Sequence, residues 1–160
     1  MASDLISVYR ADAPDYQETF LFSKTLADCP SWSPANQEII AIVRLDSGQD
    51  YRLSLFNRDG QWERDLYKSA SYLRGAVWSP DGQKIVFIER GKLAMLDIAS
   101  DNLTTLQKPL PIPIPGSDVM LESELLDPSW APDGRFIIYT EDYAGRCHCT
   151  KLWSSGPLLS

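Results

Sequence analysis

One short word is written three times in register along this chain. It reads Trp32-Ser33-Pro34-Ala35-Asn36, then Trp78-Ser79-Pro80-Asp81-Gly82, then Trp130-Ala131-Pro132-Asp133-Gly134. Each copy leads into an apolar run: Ile39-Ile40-Ala41-Ile42, Ile85-Val86-Phe87-Ile88 and Phe136-Ile137-Ile138-Tyr139. The chemistry of the word is that of a tight turn. Proline presets φ near about −65°, Asp or Asn bonds backbone two residues on, and Gly enters the φ > 0 region without a Cβ clash. Asn36 replaces the Gly of the other copies and tolerates the left-handed conformation, so the first turn is expected to survive. Three tryptophans at one place in the repeat predict one kind of pocket used three times.

The spacing sets the architecture. Trp32 and Trp78 are 46 positions apart, Trp78 and Trp130 are 52. The middle repeat reads as four short strands: 76–78, 84–89, 92–98 and 103–106. Arg90-Gly91 marks a hairpin, and Ser100-Asp101-Asn102 a polar turn. The first repeat follows the same plan, with Asp46-Ser47-Gly48-Gln49-Asp50 and Asn57-Arg58-Asp59-Gly60 as its turns. Residues 5–9 and 18–22 align with a third and a fourth strand, joined by Ala11-Asp12-Ala13-Pro14-Asp15. Residues 129–130, 136–141 and 148–153 align with strands one to three, and the tail after Ser154 runs out before a fourth. Even strands, regular turns and a period of roughly 40 to 50 residues indicate an all-β chain, a partial β-propeller of about three four-stranded blades. The divisions are 1–29 (incomplete first blade), 30–75, 76–127 and 128–160 (incomplete last blade).

The extra length of the middle repeat lies in one segment. Pro109, Pro111, Pro113 and Pro115 alternate through it and Gly116 follows. Such a run predicts an extended loop over 107–118 rather than a strand or helix. A faint helical period over 117–126 is the only one in the chain.

The motif and its flanks resemble the TolB-type β-propeller repeat, a relative in architecture of the WD repeat. The likeness is closest over 77–98, good over 128–153 and looser over 30–66, where Ala35-Asn36 stands for Asp-Gly. The resemblance implies a ring of about six blades. Two explanations then compete: a piece of a longer propeller, or a homodimer closing one six-bladed ring. In the second, the N-terminal strands complete the partner's last blade. Met1 begins partway through a blade, which favours the first.

Composition narrows the function. The net charge is −7, from 22 acidic and 15 basic residues, without a Lys/Arg cluster. That removes the electrostatic term of nucleic-acid binding and disfavours an anionic membrane surface. No apolar run approaches the roughly 18 residues of a membrane span, so no membrane insertion is expected. Met1-Ala2-Ser3-Asp4 lacks the charged and apolar regions of a secretory signal. The sequence leaves the compartment open: the cytoplasm by default, the periplasm or the exterior if the chain is a piece of an exported protein. Cys29, Cys147 and Cys149 make no complete disulfide framework. Cys147-His148-Cys149 invites a metal, but strand geometry splits the three residues between two faces, and His148 is the only histidine. No metal and no cofactor are expected. Asn102-Leu103-Thr104 matches the glycosylation acceptor pattern, which matters only in a secreted chain.

Catalytic signatures are missing from the sequence: it holds no Gly-x-Ser-x-Gly elbow and no phosphate-cradling loop. Asp81 and Asp133 are turn caps on this reading, and Glu122, Glu124, Glu141 and Asp142 solvated pairs. Trp62, Tyr67 and Tyr72 are expected together near a blade edge. The expected role is a non-catalytic binding or scaffold module that docks a protein partner through Pro109, Pro111, Pro113 and Pro115. The alternatives implied by the resemblance are the propeller of a larger enzyme such as a prolyl-oligopeptidase-type peptidase, or a propeller-fold lyase or hydrolase. Trp32, Pro34, Trp78, Pro80, Asp81, Gly82, Trp130, Pro132, Asp133 and Gly134 are read as structural.

Overall fold

The computed structural model describes residues 7–9, 18–20, 26–34, 37–45, 50–113, 116–143 and 148–154, and the side chains of those from Pro30 to Tyr143 other than Ile112 and Leu121. The turns at Ala35-Asn36, 11–15 and 46–49, the ends of the expected strands at Leu5 and Phe22, Pro115, Cys147 and the tail after Ser154 lie outside the described residues. So do the side chains of Cys29, His148 and Cys149.

Among the described residues fifteen strands follow one another. They are β1 (Ser7–Tyr9), β2 (Glu18–Phe20), β3 (Leu26–Trp32), β4 (Ile39–Arg44), β5 (Tyr51–Phe56), β6 (Trp62–Ser69), β7 (Leu73–Trp78) and β8 (Lys84–Glu89). Then come β9 (Lys92–Asp97), β10 (Asn102–Gln107), β11 (Ile112–Pro113), β12 (Met120–Leu121), β13 (Glu124–Trp130), β14 (Phe136–Asp142) and β15 (His148–Ser154). There is no helix among the described residues, so the faint helical period over 117–126 does not produce one. β3 to β6 and β7 to β10 form two four-stranded antiparallel sheets in sequential order. β13 to β15 form a three-stranded sheet, and β1–β2 and β11–β12 are separate two-stranded pairs.

Each sheet begins with a strand longer than the sequence alternation indicates. β3, β7 and β13 all shift register at the same place, between Asp28 and Ser31, Arg74 and Val77, and Leu126 and Ser129. A bulge inserts an extra residue and breaks the period of two, so the first half of each strand is hard to see in sequence. At the second bulge Gly75 has φ +64°. A Cβ there would lie 2.8 Å from Cδ of Pro128 at the third bulge. Neighbouring first strands therefore approach too closely for any side chain at this point.

The core is a stack of sheet faces. Ile40, Ile42, Leu53 and Leu55 of the first sheet meet Leu73, Ala76, Trp78, Ile85, Phe87, Ala94 and Leu96 of the second. On the second sheet's other face, Val86, Ile88 and Leu93 meet Leu125, Ile137 and Tyr139 of the third. Ile85, Val86, Phe87 and Ile88 are consecutive and fully buried, because this sheet is covered on both sides. Each such side chain contributes roughly 1.5–3 kcal/mol of burial. Polar ties cross the same interfaces. The Tyr67 and Ser69 hydroxyls donate to Glu89 Oε1 at 2.9 and 2.6 Å, and the Leu125 amide donates to the Gly91 carbonyl at 3.0 Å.

Candidate functional site

Two kinds of segment join these strands, and they lie at opposite ends of the sheets. The motif turns join the first and second strand of each sheet. The insertion leaves β10 beside the Arg90-Gly91 hairpin and enters β13 at Glu124. At the opposite end the first strands β7 and β13 pair in the motif row, Trp78 with Ile85 and Trp130 with Ile137.

The motif turns are closed by one recurring backbone bond. Ser33, Ser79 and Ala131 donate their amides to the carbonyls of Glu38, Lys84 and Phe136 at 2.7, 2.8 and 2.8 Å. Within the second turn Pro80 and Asp81 occupy the corner, and the Gly82 amide returns to the Ser79 carbonyl at 2.9 Å. Gly82 has φ +70° and Gly134 +71°, the left-handed position that glycine accepts at no steric cost. In the first turn the described left-handed residue is Gln37, at φ +59°, one position later than the Gly of its sisters.

The aspartates serve the turns. Asp81 Oδ1 accepts from the Ser79 hydroxyl at 2.6 Å and from the Gln83 amide at 3.0 Å. Those bonds, the Ser79 hydroxyl first, hold its carboxyl below the usual range. Asp133 accepts from the Arg135 amide and guanidinium at 3.0 and 2.8 Å, with the same downward effect. Pro34, Pro80 and Pro132 are exposed on these turns.

The expectation of one pocket used three times needs correction. Trp78 is buried against the first sheet, and Trp130 is half-buried against the second. Trp32 is 53% exposed. Its row partner Ile39 belongs to the face pointing away from the second sheet, so the motif tryptophan of the first sheet has no described sheet opposite it. The indole N–H groups of Trp78 and Trp130 are buried without a hydrogen-bond partner among the described residues. The expected aromatic group at a blade edge is also dispersed. Trp62 is exposed on the Ile39 face, while the Tyr67 ring lies tilted against Phe87 of the next sheet, centroids 5.5 Å apart. Tyr72 donates to Glu124 Oε1 of the third sheet at 2.8 Å. Burial, then the Glu124 bond, pushes the Tyr72 hydroxyl up to about 12, and burial with Glu89 does the same to Tyr67.

At the other end, the insertion is not the plain extended loop expected for 107–118. Ile112 pairs with Leu121 and Pro113 with Met120 as a two-residue antiparallel ladder. Proline is tolerated because so short a strand has free edges and its nitrogen need not donate. The insertion is strapped down by Glu141, which was expected to be solvated. Its side chain is buried. Glu141 Oε1 accepts from the Ser123 hydroxyl at 2.9 Å and from the Leu110 amide at 3.4 Å. One carboxylate on the third sheet thus holds both flanks of the hairpin, a contact that no local pattern in the sequence signals.

Several apolar side chains of the anchored insertion are exposed. Leu110 is 63% and Val119 59% exposed; Met120, Pro111 and Pro113 are exposed beside them. Pro109 is half-buried. The structure therefore brings Pro111 and Pro113 together with Leu110, Val119 and Met120, three residues that the proline pattern did not single out. Among the described residues no three His, Cys, Asp or Glu side chains cluster as metal ligands, and no helix is long and apolar enough to cross a membrane.

The repeated sheet, sequential strand order and face-to-face stacking are those of propeller blades. The fold is a partial β-propeller. Three solved proteins show the likeness. TolB from Acinetobacter baumannii superposes with a TM-score of 0.67 at 16% identity, over 96% of this chain and 35% of that one. An oligogalacturonate lyase from Vibrio parahaemolyticus gives 0.65 at 12%, over 94% of this chain and 45% of its own. The β-propeller domain of the Trilobed protease from Pyrococcus furiosus gives 0.50 at 11%, over 97% and 66%. The chain thus spans between about a third and a half of the first two, and at these identities the likeness is one of fold. No protein-family model matches the chain, and no curated protein sequence matches it.

Proposed function

We propose that this propeller segment is a non-catalytic binding module and that the insertion at 107–121 is its protein-docking surface. The observation that carries the reading is an exposed apolar patch on an anchored hairpin: Leu110, Val119 and Met120, flanked by Pro111 and Pro113. Exposed apolar side chains grouped on one projecting element mark contact surfaces. The Glu141 strap lowers the entropy lost when a partner is engaged, and alternating prolines restrict the backbone further. At the motif turns Asp81 and Asp133 are engaged within the turns themselves.

A photo-crosslinking amino acid at Val119 tests the reading, with Gln83 at the motif end as control. In extracts of the source cells, position 119 should yield a discrete protein adduct that disappears in a Leu110→Ser, Met120→Ser variant. Adducts only from position 83, or none from 119, would sink it.

A second reading, the propeller portion of a larger enzyme, is favoured by one observation. Solved proteins of the same fold include a lyase and a protease, and the chain spans under half of that lyase. The coding sequence on either side decides it: a contiguous hydrolase domain would make the insertion a domain–domain contact.

A further inference from the structure

Every blade interface in this molecule has two unlike halves. The earlier sheet contributes the face that carries Ile40 in the first case and Val86 in the second, both fully buried. The later sheet contributes the motif tryptophan and the apolar residue opposite it: Trp78 with Ile85, then Trp130 with Ile137. The same pairing registers identify one open half of each kind. On the first sheet Trp32, Ile39, Phe56 and Trp62 form a single row across all four strands. Its end members, Trp32 and Trp62, are 53% and 57% exposed. On the third sheet Ile138 occupies the position of Ile40 and Val86, one residue past the partner of the motif tryptophan, and it is 43% exposed.

Two further features fit these open halves. Among the described residues the third sheet has three strands, and β15 pairs with β14 over seven consecutive residues without a bulge. Its outer edge is thus a regular template for another strand. The β1–β2 hairpin pairs with no other strand among the described residues.

We propose that the occupant of both open halves is a second copy of this chain. The Ile138 face of each copy packs on the Trp32 row of the other, and the β1–β2 hairpin of each lies along the β15 edge of the other. The contact continues an interface the molecule already uses twice, between its first and second sheets and between its second and third. It is head-to-tail, with unlike surfaces meeting, and two copies close it into one ring with two-fold symmetry.

Light scattering coupled to size exclusion on the 160-residue chain tests this. The unsubstituted chain should elute at twice the 18.0 kDa chain mass and dissociate on dilution. Trp32→Glu and Ile138→Glu should each weaken the dimer by about tenfold or more while keeping the unsubstituted circular dichroism spectrum. Because the contact is between unlike surfaces, mixing the two variants restores one intact interface and should recover part of the dimer. A single-chain mass at every concentration would overturn the proposal. So would open-ended filaments, or a dimer indifferent to both substitutions. The dilution series on the unsubstituted chain stands whether or not either variant folds.

Discussion

The two ends of the sheets are ordered by different physics. At the motif end, each bond closing a turn joins residues five apart or fewer, such as the Ser79 amide to the Lys84 carbonyl. At the insertion end, the organising bond joins Leu110 to Glu141 across 31 positions. The first kind of order is written into a short word and can be copied three times. The second depends on one carboxylate reaching a backbone amide far away in the sequence. A short-range turn needs only its own residues to form, whereas the insertion needs the third sheet already in place.

Removing the apolar part of the motif should have the largest effect. Trp78→Ala should destabilise the fold by about 3–5 kcal/mol, read as a shift in the urea midpoint. Trp32→Ala should fall within about 1 kcal/mol in the single chain, because that side chain is already half in water. Equal losses at the two sites would erase the distinction between a filled and an unfilled copy of the motif.

Next is the strap. Glu141→Leu leaves the Ser123 hydroxyl and the Leu110 amide without their acceptor, at a cost of about 1–3 kcal/mol. Hydrogen exchange at Leu110 should accelerate while exchange in β8 stays unchanged. Glu141→Gln keeps an acceptor oxygen and should lose less. Uniform acceleration along the whole chain would mean the insertion is not a separate unit.

The smallest effect belongs to the turn carboxylate. Asp81→Ala should cost about 0.5–1 kcal/mol at neutral pH. The folded-state pKa of Asp81 lies below its ordinary value of 3.8. Its contribution is therefore present above that value and disappears as the pH falls through the lowered pKa. The difference between Asp81→Ala and the unsubstituted chain should close on acidification; a difference that persists in acid would assign the effect to packing.

These contrasts also explain how much was legible in the sequence. β5 and β8 begin and end where the apolar alternation places them, because both run unbroken through the middle of a sheet. β3, β7 and β13 start earlier than the pattern indicates, since a bulge resets the alternation inside each. The β11–β12 ladder was hidden by its prolines, which normally forbid a strand and here occupy one only two residues long. Glu141 reads as half of an exposed acidic pair with Asp142, and only the register of β14 shows that the two point to opposite faces. The exposure of Trp32 could not be read at all, because the word around it resembles that around Trp78. The difference lies in what stands across from it.

The middle sheet is the only one here with a described sheet stacked on each side. In a linear array of repeats, stability is largely a sum of nearest-neighbour terms. A unit with two neighbours is held by two such terms, a unit at either end by one. Ile85 to Ile88 therefore sit in the segment that opens last. Partial unfolding starts from the outer sheets and exposes first the faces that the stack buries, those of Ile40 against Ile85 and of Val86 against Ile137.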